Sequence, residues 1–173
     1  YGHFRSSWSS NALGELTLRP SEFGEGPTEG HVILQGPVET LAASITADAC
    51  YLDPPYMKRQ YAANYHILET LARGDDPRAV GVSGLRDWWD QYSDFCSKRN
   101  ISEAFSETFN NMDCPLFFIS YSEDGLLSPE RMGELFAEFG EVERFDFDLQ
   151  RFKSNKGGLG GTVTEYLYVV RKY

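Results

Sequence analysis

Apolar residues along this chain are grouped in short runs, and polar or amphipathic stretches separate them. The runs at 31–36 (HVILQG), 48–53 (DACYLD) and 114–122 (CPLFFISYS) have the length and continuous apolar character of buried strands. Near the end of the chain, residues 141–152 and 162–173 alternate between apolar and polar side chains. This alternation predicts two antiparallel strands.

Helical patterns fill the intervals between these runs. Gly74 ends one amphipathic stretch, and Ser128 followed by Pro129 provides a good N-terminal cap and first turn for another. The last stretch should end near Phe139, before Gly140. The predicted helical regions are 38–45, 64–74, the aromatic-rich 83–112, and the segment that begins at Ser128.

Strand and helix therefore alternate until a final pair of strands. This order predicts an α/β fold with a mostly parallel, Rossmann-like sheet and an antiparallel C-terminal edge strand. Residues 49–52 and 116–120 should be adjacent parallel strands. Ligands of open α/β sheets bind beyond the carboxyl ends of the strands, where Asp53 and residues 120–122 lie in the sequence.

Composition narrows the class of protein. The chain has 173 residues, 41% of them hydrophobic, which is enough for one domain with a core. It has neither an apolar run of about 18 residues nor a signal-peptide pattern, so we expect a cytoplasmic protein with no membrane partner. Three cysteines and three histidines make no zinc pattern, and no metal is implied. The net charge of −10 argues against a nucleic-acid coat protein but leaves room for a local basic strip.

Asp53-Pro54-Pro55-Tyr56 follows the second apolar run directly. Asp before Pro is a common turn signal, so the four residues by themselves are also compatible with a simple turn. They nevertheless suit methylation of an exocyclic amino group, which is a poor nucleophile because its lone pair is delocalised. Asp53 and the directionally restrained carbonyl of Pro54 would accept its two N–H groups. Tyr56 would stack on an extruded base.

Several further motifs occur in the same order as in one known family. YLDPPY is followed by YAANYHILETL, FFISYSEDGLLS, RFKSNKGG and TEYLYVVRK, and the series resembles the later motifs of the Dam-like adenine-specific DNA methyltransferases. The likeness extends over residues 32–173. It implies a class I methyltransferase fold and transfer of a methyl group from S-adenosyl-L-methionine to the 6-amino group of a flipped-out adenine. Double-stranded DNA is the implied partner.

The resemblance also implies roles for individual residues. Asp53, Pro54, Pro55 and Tyr56 correspond to the catalytic motif, and Asp53 also contacts the cofactor. Tyr65 and Pro37 are two further expected cofactor contacts. Tyr65 lies with His66 in the helix beside the cofactor. Pro37 is near a position where relatives often have an acidic residue. The expected contacts with the target base or DNA are Tyr56, Phe152, Lys153, Ser154 and Asn155. A buried strand end for Phe152, and a helix-core role for Tyr65, remain alternatives.

The resemblance divides the chain into residues 1–30, a remnant of the DNA-recognition insert, and residues 31–173, the C-terminal part of the catalytic domain. The family's glycine-rich cofactor turn would precede residue 1, since the glycines at 157–161 lie before a strand and not before a helix. We therefore expect a fragment with weak or no activity alone. Self-association or a partner chain would cover its exposed sheet edge.

Two other functions remain open from the sequence. The first is a ribosomal-RNA guanine amino-methyltransferase, because some of these enzymes also carry DPPY. The second is a non-catalytic interaction module derived from a methyltransferase, which the acidic charge would suit.

Overall fold

The computed structural model describes residues 29–150 and 161–173, together with scattered positions before residue 29. The described chain forms a four-stranded sheet in the order β1-β2-β4-β3. The strands are β1 (Cys50–Leu52), β2 (Leu116–Ser122), β3 (Gly140–Gln150) and β4 (Thr162–Lys172). The helices are α1 (Val38–Leu41), α2 (Tyr61–Asn64), α3 (His66–Arg73), α4 (Ile101–Asn111) and α5 (Pro129–Ala137).

The predicted α/β fold and its strand pairings are confirmed. β1 and β2 are parallel, with Cys50 opposite Phe117 and Leu52 opposite Ile119. β4 is antiparallel to β2 and to β3, so the described sheet combines one parallel pairing with two antiparallel ones. The C-terminal strand itself is not at the edge, because β4 lies between β2 and β3.

The prediction of a strand at residues 31–36 is wrong. This segment has an irregular backbone, and Ile33 is 96% exposed. No strand of the described residues lies beside this segment, so its backbone N–H and C=O groups have no neighbouring strand with which to form hydrogen bonds. An apolar run shows that a segment can be buried, but only a neighbouring strand makes it part of a sheet.

The predicted helical region 83–112 is helical only in its second half. α4 begins at Ile101, whereas two short 3₁₀ turns (Trp89–Gln91 and Asp94–Cys96) occur before it. Trp89 is exposed while Phe95 is buried, so the apolar side chains before α4 form no continuous stripe on one helix face. Helical composition without that stripe does not specify a helix.

The predicted end of α3 and the predicted start of α5 are confirmed by their caps, whereas α3 begins at His66 and not at 64, and α5 ends at Ala137, two residues before Phe139. Gly74 follows α3 in the left-handed conformation (φ 60°), and its N–H donates to the Thr70 carbonyl at 3.0 Å. Ser128 precedes α5, with Pro129 in the first turn, and its hydroxyl accepts from the Arg131 N–H at 3.3 Å.

Aromatic rings fill the core that α4 and α5 form with β2 and β4. Phe105, Phe109, Phe117 and Phe136 are all fully buried, and Tyr168 is 1% exposed. The distances between their ring centroids are 4.5–5.4 Å in four pairs: Phe109–Phe117, Phe109–Phe136, Phe105–Phe136 and Phe136–Tyr168. These distances are typical of favourable tilted and edge-to-face contacts. This core fixes β2 and therefore the position of β1 beside it.

No helix in the described part of the chain is long and apolar enough to span a membrane.

Candidate active site

The Asp53-Pro54-Pro55-Tyr56 motif leaves the carboxyl end of β1, as the sequence predicts. Its Asp53 side chain is exposed, whereas Pro54 is buried. The carbonyl of Tyr56 accepts a hydrogen bond from the Leu126 N–H at 3.0 Å. The motif is thus attached to the loop that follows β2, the neighbouring parallel strand.

Tyr121, in β2, holds this attachment in place. Its ring meets that of Tyr56 edge to face at 6.3 Å, and its hydroxyl oxygen accepts from the N–H groups of Leu126 (3.0 Å) and Leu127 (3.4 Å). Gly125 lies against the same ring, where a β-carbon would overlap Tyr121. Only glycine fits this close approach, so the SEDGLL sequence and Tyr121 together fix the backbone of Tyr56.

The surroundings of Tyr56 keep its hydroxyl neutral. Burial raises the pKa of Tyr56 above its ordinary value of 10.0, and the negative charges of Glu165, Asp124 and Asp53 raise it further. Burial also raises the pKa of Glu165, against the lowering effect of a hydrogen bond with Ser122. Tyr56 therefore offers an uncharged ring at an acidic end of the sheet.

A cavity of about 670 Å³ opens beside Asp53. Its size lies within the range of small-molecule and cofactor sites. Its lining consists of residues 35–39, residues 51–55, five residues of the irregular stretch 90–95, and Arg73 of α3. Asp53 contributes to this cavity, and its charge also acts on Tyr56, so one carboxylate faces both a cavity and an aromatic ring.

The structure brings together most of the described residues predicted for this site. Asp53, Pro54, Pro55 and Pro37 all line the cavity. Tyr65 does not line it: its side chain is 51% exposed and meets Tyr61 edge to face at 5.7 Å. The contact of Tyr65 with a cofactor stays a prediction. Phe152, Lys153, Ser154 and Asn155 lie outside the described residues, and their predicted contacts with DNA stay predictions too.

Sequence reasoning missed several residues of the cavity walls. Glu39, two residues after the Pro37 position, lines the cavity, and so do Gln91, Tyr92 and Ser93. Burial raises the pKa of Glu39, with smaller contributions from the charges of Asp94 and Glu107. An acidic residue in the first turn after Pro37 was the available signal for Glu39. The sequence 90–95 gave no local signal, because its place on the cavity depends on folding.

Within the described ranges, no three His, Cys, Asp or Glu side chains are grouped so that they could hold a metal ion.

Comparison with known proteins supplies the family. The model of the D12 class N6 adenine-specific DNA methyltransferases matches residues 1–135. The chain belongs to this family. The resemblance inferred from the motifs is thereby confirmed.

Three curated relatives are similar over nearly the whole chain. Type II methyltransferase M.NlaIII of Neisseria lactamica is 35% identical over 99% of this chain and 52% of its own length. M.CviAII of Paramecium bursaria Chlorella virus 1 is 37% identical over 98% of the chain and 50% of its own length. M.FokI of Planomicrobium okeanokoites is 30% identical over 99% of the chain and 27% of its own length. The chain thus spans about half or less of the length of these relatives. No solved structure matches it.

Proposed function

We propose that the protein to which this chain belongs is a type II, site-specific DNA methyltransferase. It would transfer a methyl group from S-adenosyl-L-methionine to the 6-amino group of an adenine in double-stranded DNA. The observation that carries the proposal is Asp53-Pro54 at the carboxyl end of β1, beside a cavity of cofactor size, in a chain of the adenine-specific family.

The cavity suits this cofactor. When bound, S-adenosyl-L-methionine supplies an electrophilic methyl group on a positively charged sulfur, together with an adenosine and an amino acid. Glu39 and Asp53 give the walls carboxylates that can attract positive charge or accept from hydroxyl groups. Pro37, Leu52 and Phe95 give apolar surface for the adenine ring. The residues present therefore fit the group, and they need no metal ion.

Asp53 and Pro54 would act on the amino group of adenine. Their oxygens accept its two N–H groups and hold the nitrogen while it becomes tetrahedral. These hydrogen bonds strengthen as positive charge develops on the nitrogen, so they stabilise the transition state more than the bound substrate. The nitrogen would form its bond to the methyl carbon as the bond between that carbon and the donor sulfur breaks, and it would then lose a proton to solvent and become neutral.

Tyr56 would hold the extruded base. Its ring is uncharged, and Tyr121 and the loop at 125–127 fix its backbone. Stacking on such a ring tolerates any base, so selection of adenine would depend on the acceptors Asp53 and Pro54. In this proposal Phe152 packs on the same base, and Lys153, Ser154 and Asn155 contact the DNA.

The family match supports DNA adenine over ribosomal-RNA guanine as the acceptor. A formed cavity beside the DPPY carboxylate supports an enzyme over a non-catalytic interaction module.

An acceptor assay tests the proposal. The full-length protein is incubated with labelled S-adenosyl-L-methionine and either duplex DNA or ribosomal RNA, and the products are digested to nucleosides. We expect N6-methyladenine from DNA and no transfer to RNA, with Asp53→Ala as the inactive control. Label in guanine, label in RNA alone, or no transfer by the wild-type protein would overturn the proposal.

A further inference from the structure

One wall of the cavity has little regular structure of its own. Residues 90–95 span parts of two 3₁₀ turns, and five of these six residues line the cavity, as residues 35–39 also do. A segment of this kind keeps its shape only through contacts with the rest of the protein. What holds this wall therefore determines the shape of the cavity.

Gln60 holds it through two hydrogen bonds to one residue. Its amide Nε2 donates to the Ser93 carbonyl at 2.9 Å, and its Oε1 accepts from the Ser93 N–H at 2.9 Å. The pairing satisfies both backbone groups of Ser93, as a neighbouring strand would. Gln60 and Ser93 are 33 positions apart in the sequence. Gln60 is thus a clamp between distant parts of the chain.

The backbone of Gln60 is fixed at the same time. Gln60 is the residue that precedes α2, and its carbonyl accepts from the Asn64 N–H at 3.0 Å. It also lies only four positions after Tyr56. The clamp therefore joins the end of the catalytic motif to the cavity wall.

Other contacts attach the flanks of the wall. The Arg86 guanidinium, 7% exposed, donates to both carboxylate oxygens of Asp75 (2.9 and 2.7 Å) and to the Thr70 hydroxyl (3.1 Å). Cys96 Sγ donates to the Arg59 carbonyl at 3.3 Å. These contacts locate the two ends of the segment. Two side-chain hydrogen bonds act within it: Gln91 Nε2 donates to Glu69 Oε1 at 3.1 Å, and Asn100 Nδ2 donates to Asp94 Oδ1 at 2.6 Å. The Gln60 pair acts directly on the backbone of Ser93, in the part that lines the cavity.

We propose that Gln60 is a positioning residue for the methyl donor: by pairing with Ser93 it sets the distance between the 90–95 wall and the wall formed by residues 35–39. This inference rests on the proposed function of the cavity. It separates two properties of the enzyme, because Gln60 acts on the donor cavity while Asp53 and Pro54 act on the amino group. Loss of Gln60 should raise the KM for S-adenosyl-L-methionine and leave kcat near its wild-type value.

Three variants of the full-length protein test the inference. Gln60→Ala removes both hydrogen bonds. Gln60→Glu keeps the acceptor oxygen and replaces the amide donor with a carboxyl oxygen. Asn110→Ala, which removes an exposed amide on α4, is the control. Binding of S-adenosyl-L-methionine is measured by calorimetry from pH 4, near the ordinary pKa of a Glu carboxyl, to pH 8, and the thermal midpoint is measured without ligand. Amide hydrogen exchange is followed at Ser93.

We expect Gln60→Ala to weaken binding about tenfold, as the loss of two neutral hydrogen bonds predicts. Exchange at Ser93 should become faster, and the thermal midpoint should fall below that of Asn110→Ala, because both hydrogen bonds are present without the ligand. Gln60→Glu should resemble Gln60→Ala at pH 8, where its carboxylate repels the Ser93 carbonyl. Its affinity should recover toward wild type as the pH falls, because the protonated acid has one donor and one acceptor, like the amide. Gln60→Ala should show no such recovery.

Two results overturn the inference while the wild-type protein binds its donor. The first is wild-type affinity in Gln60→Ala. The second is an equal loss of affinity in both Gln60 variants at every pH, which would indicate a general structural role. A wild-type protein that fails to bind S-adenosyl-L-methionine would instead overturn the proposed function.

Discussion

The regions on the two sides of β2 differ in the exposure of their apolar side chains. On the side of α4 and α5, the rings of Phe105, Phe109 and Phe136 are fully buried. Around β1, large apolar side chains are exposed instead: Tyr51 is 63% exposed, Ile33 96% and Leu71 73%. Both regions are rich in apolar residues, and the strands at their centres, β1 and β2, are neighbours in one sheet.

This contrast separates stability from function. The buried ring cluster supplies the hydrophobic free energy that holds β2 and β4. The β1 side presents Asp53, the cavity and the irregular wall at 90–95, where solvent and ligands have access. A substitution in the first region should act on folding, and one in the second should act on binding or methyl transfer. The following predictions test this division, from the largest expected effect to the smallest.

Phe109→Ala should cost about 3–5 kcal/mol of unfolding free energy, because truncation of a fully buried ring leaves a cavity. Phe109 meets Phe117 at 4.5 Å and Phe139 at 5.1 Å, so few neighbours can move to fill the space. Urea denaturation measures the cost. Phe147→Ala, at a half-exposed position on β3, is the matched control and should be much milder. Equal costs would show that the ring cluster is not the main source of stability.

Asp53→Ala should reduce the rate of methyl transfer about a hundredfold to a thousandfold, the usual effect of removing one preorganised group from the transition state. Asp53→Asn should lie between Ala and wild type, because it keeps one neutral acceptor oxygen. Single-turnover kinetics with saturating DNA and donor measure the rate. Since Asp53 is exposed, urea denaturation should find both variants nearly as stable as wild type. A large loss of stability would mean that the motif belongs to the folding core.

Tyr56→Ala should weaken binding of DNA with an extruded target base by about 1–3 kcal/mol, the usual stacking contribution of an aromatic ring. Tyr56→Phe should be nearly neutral, because the hydroxyl stays uncharged and the ring does the stacking. Fluorescence titration with duplexes that carry a mispaired adenine measures both variants. If Phe were as damaging as Ala, the hydroxyl and not the ring would be the group that matters.

Glu39→Gln should produce the smallest effect on stability, and the size of this effect depends on pH. The pKa of Glu39 is raised above its ordinary value of 4.5, chiefly by burial, so the folded state binds this proton more tightly than the unfolded state. Ionised Glu39 therefore destabilises the fold, and wild-type stability falls as the pH rises from 4.5 through the raised pKa. Glu39→Gln should be slightly more stable than wild type at pH 7 without ligand.

Thermal melting across pH checks this expectation for Glu39. The stability advantage of Glu39→Gln should disappear below about pH 4, where the wild-type carboxyl is protonated in both the folded and the unfolded protein. Binding of S-adenosyl-L-methionine at pH 7 should become weaker in the same variant. Thr40→Val, at the adjacent exposed position, is a control without a titrating group. A variant less stable than wild type at pH 7 would contradict the cause assigned to the pKa shift.

Local chemistry in the sequence determined several features of this protein. Gly74 ends α3 because glycine adopts the left-handed conformation readily, and Ser128-Pro129 begins α5 because a hydroxyl cap and a fixed φ angle suit a first turn. The continuous apolar runs that contain β1 and β2 indicated adjacent parallel strands, with Asp53 at the end of one of them. The predicted burial of the first run is wrong, because no residue of β1 is buried and Tyr51 is 63% exposed. Each of these signals lies within a few residues of the feature that it specifies.

Tertiary structure alone decided the rest. Residues 31–36 have the apolar pattern of a strand, yet only a neighbouring strand could have paired them. Ser93 lines the cavity and pairs with the Gln60 side chain across 33 positions of sequence, and Glu39 lines the same cavity. Periodicity and capping report on contacts within one element. The walls of this cavity depend on contacts between elements, which form only when the chain has folded.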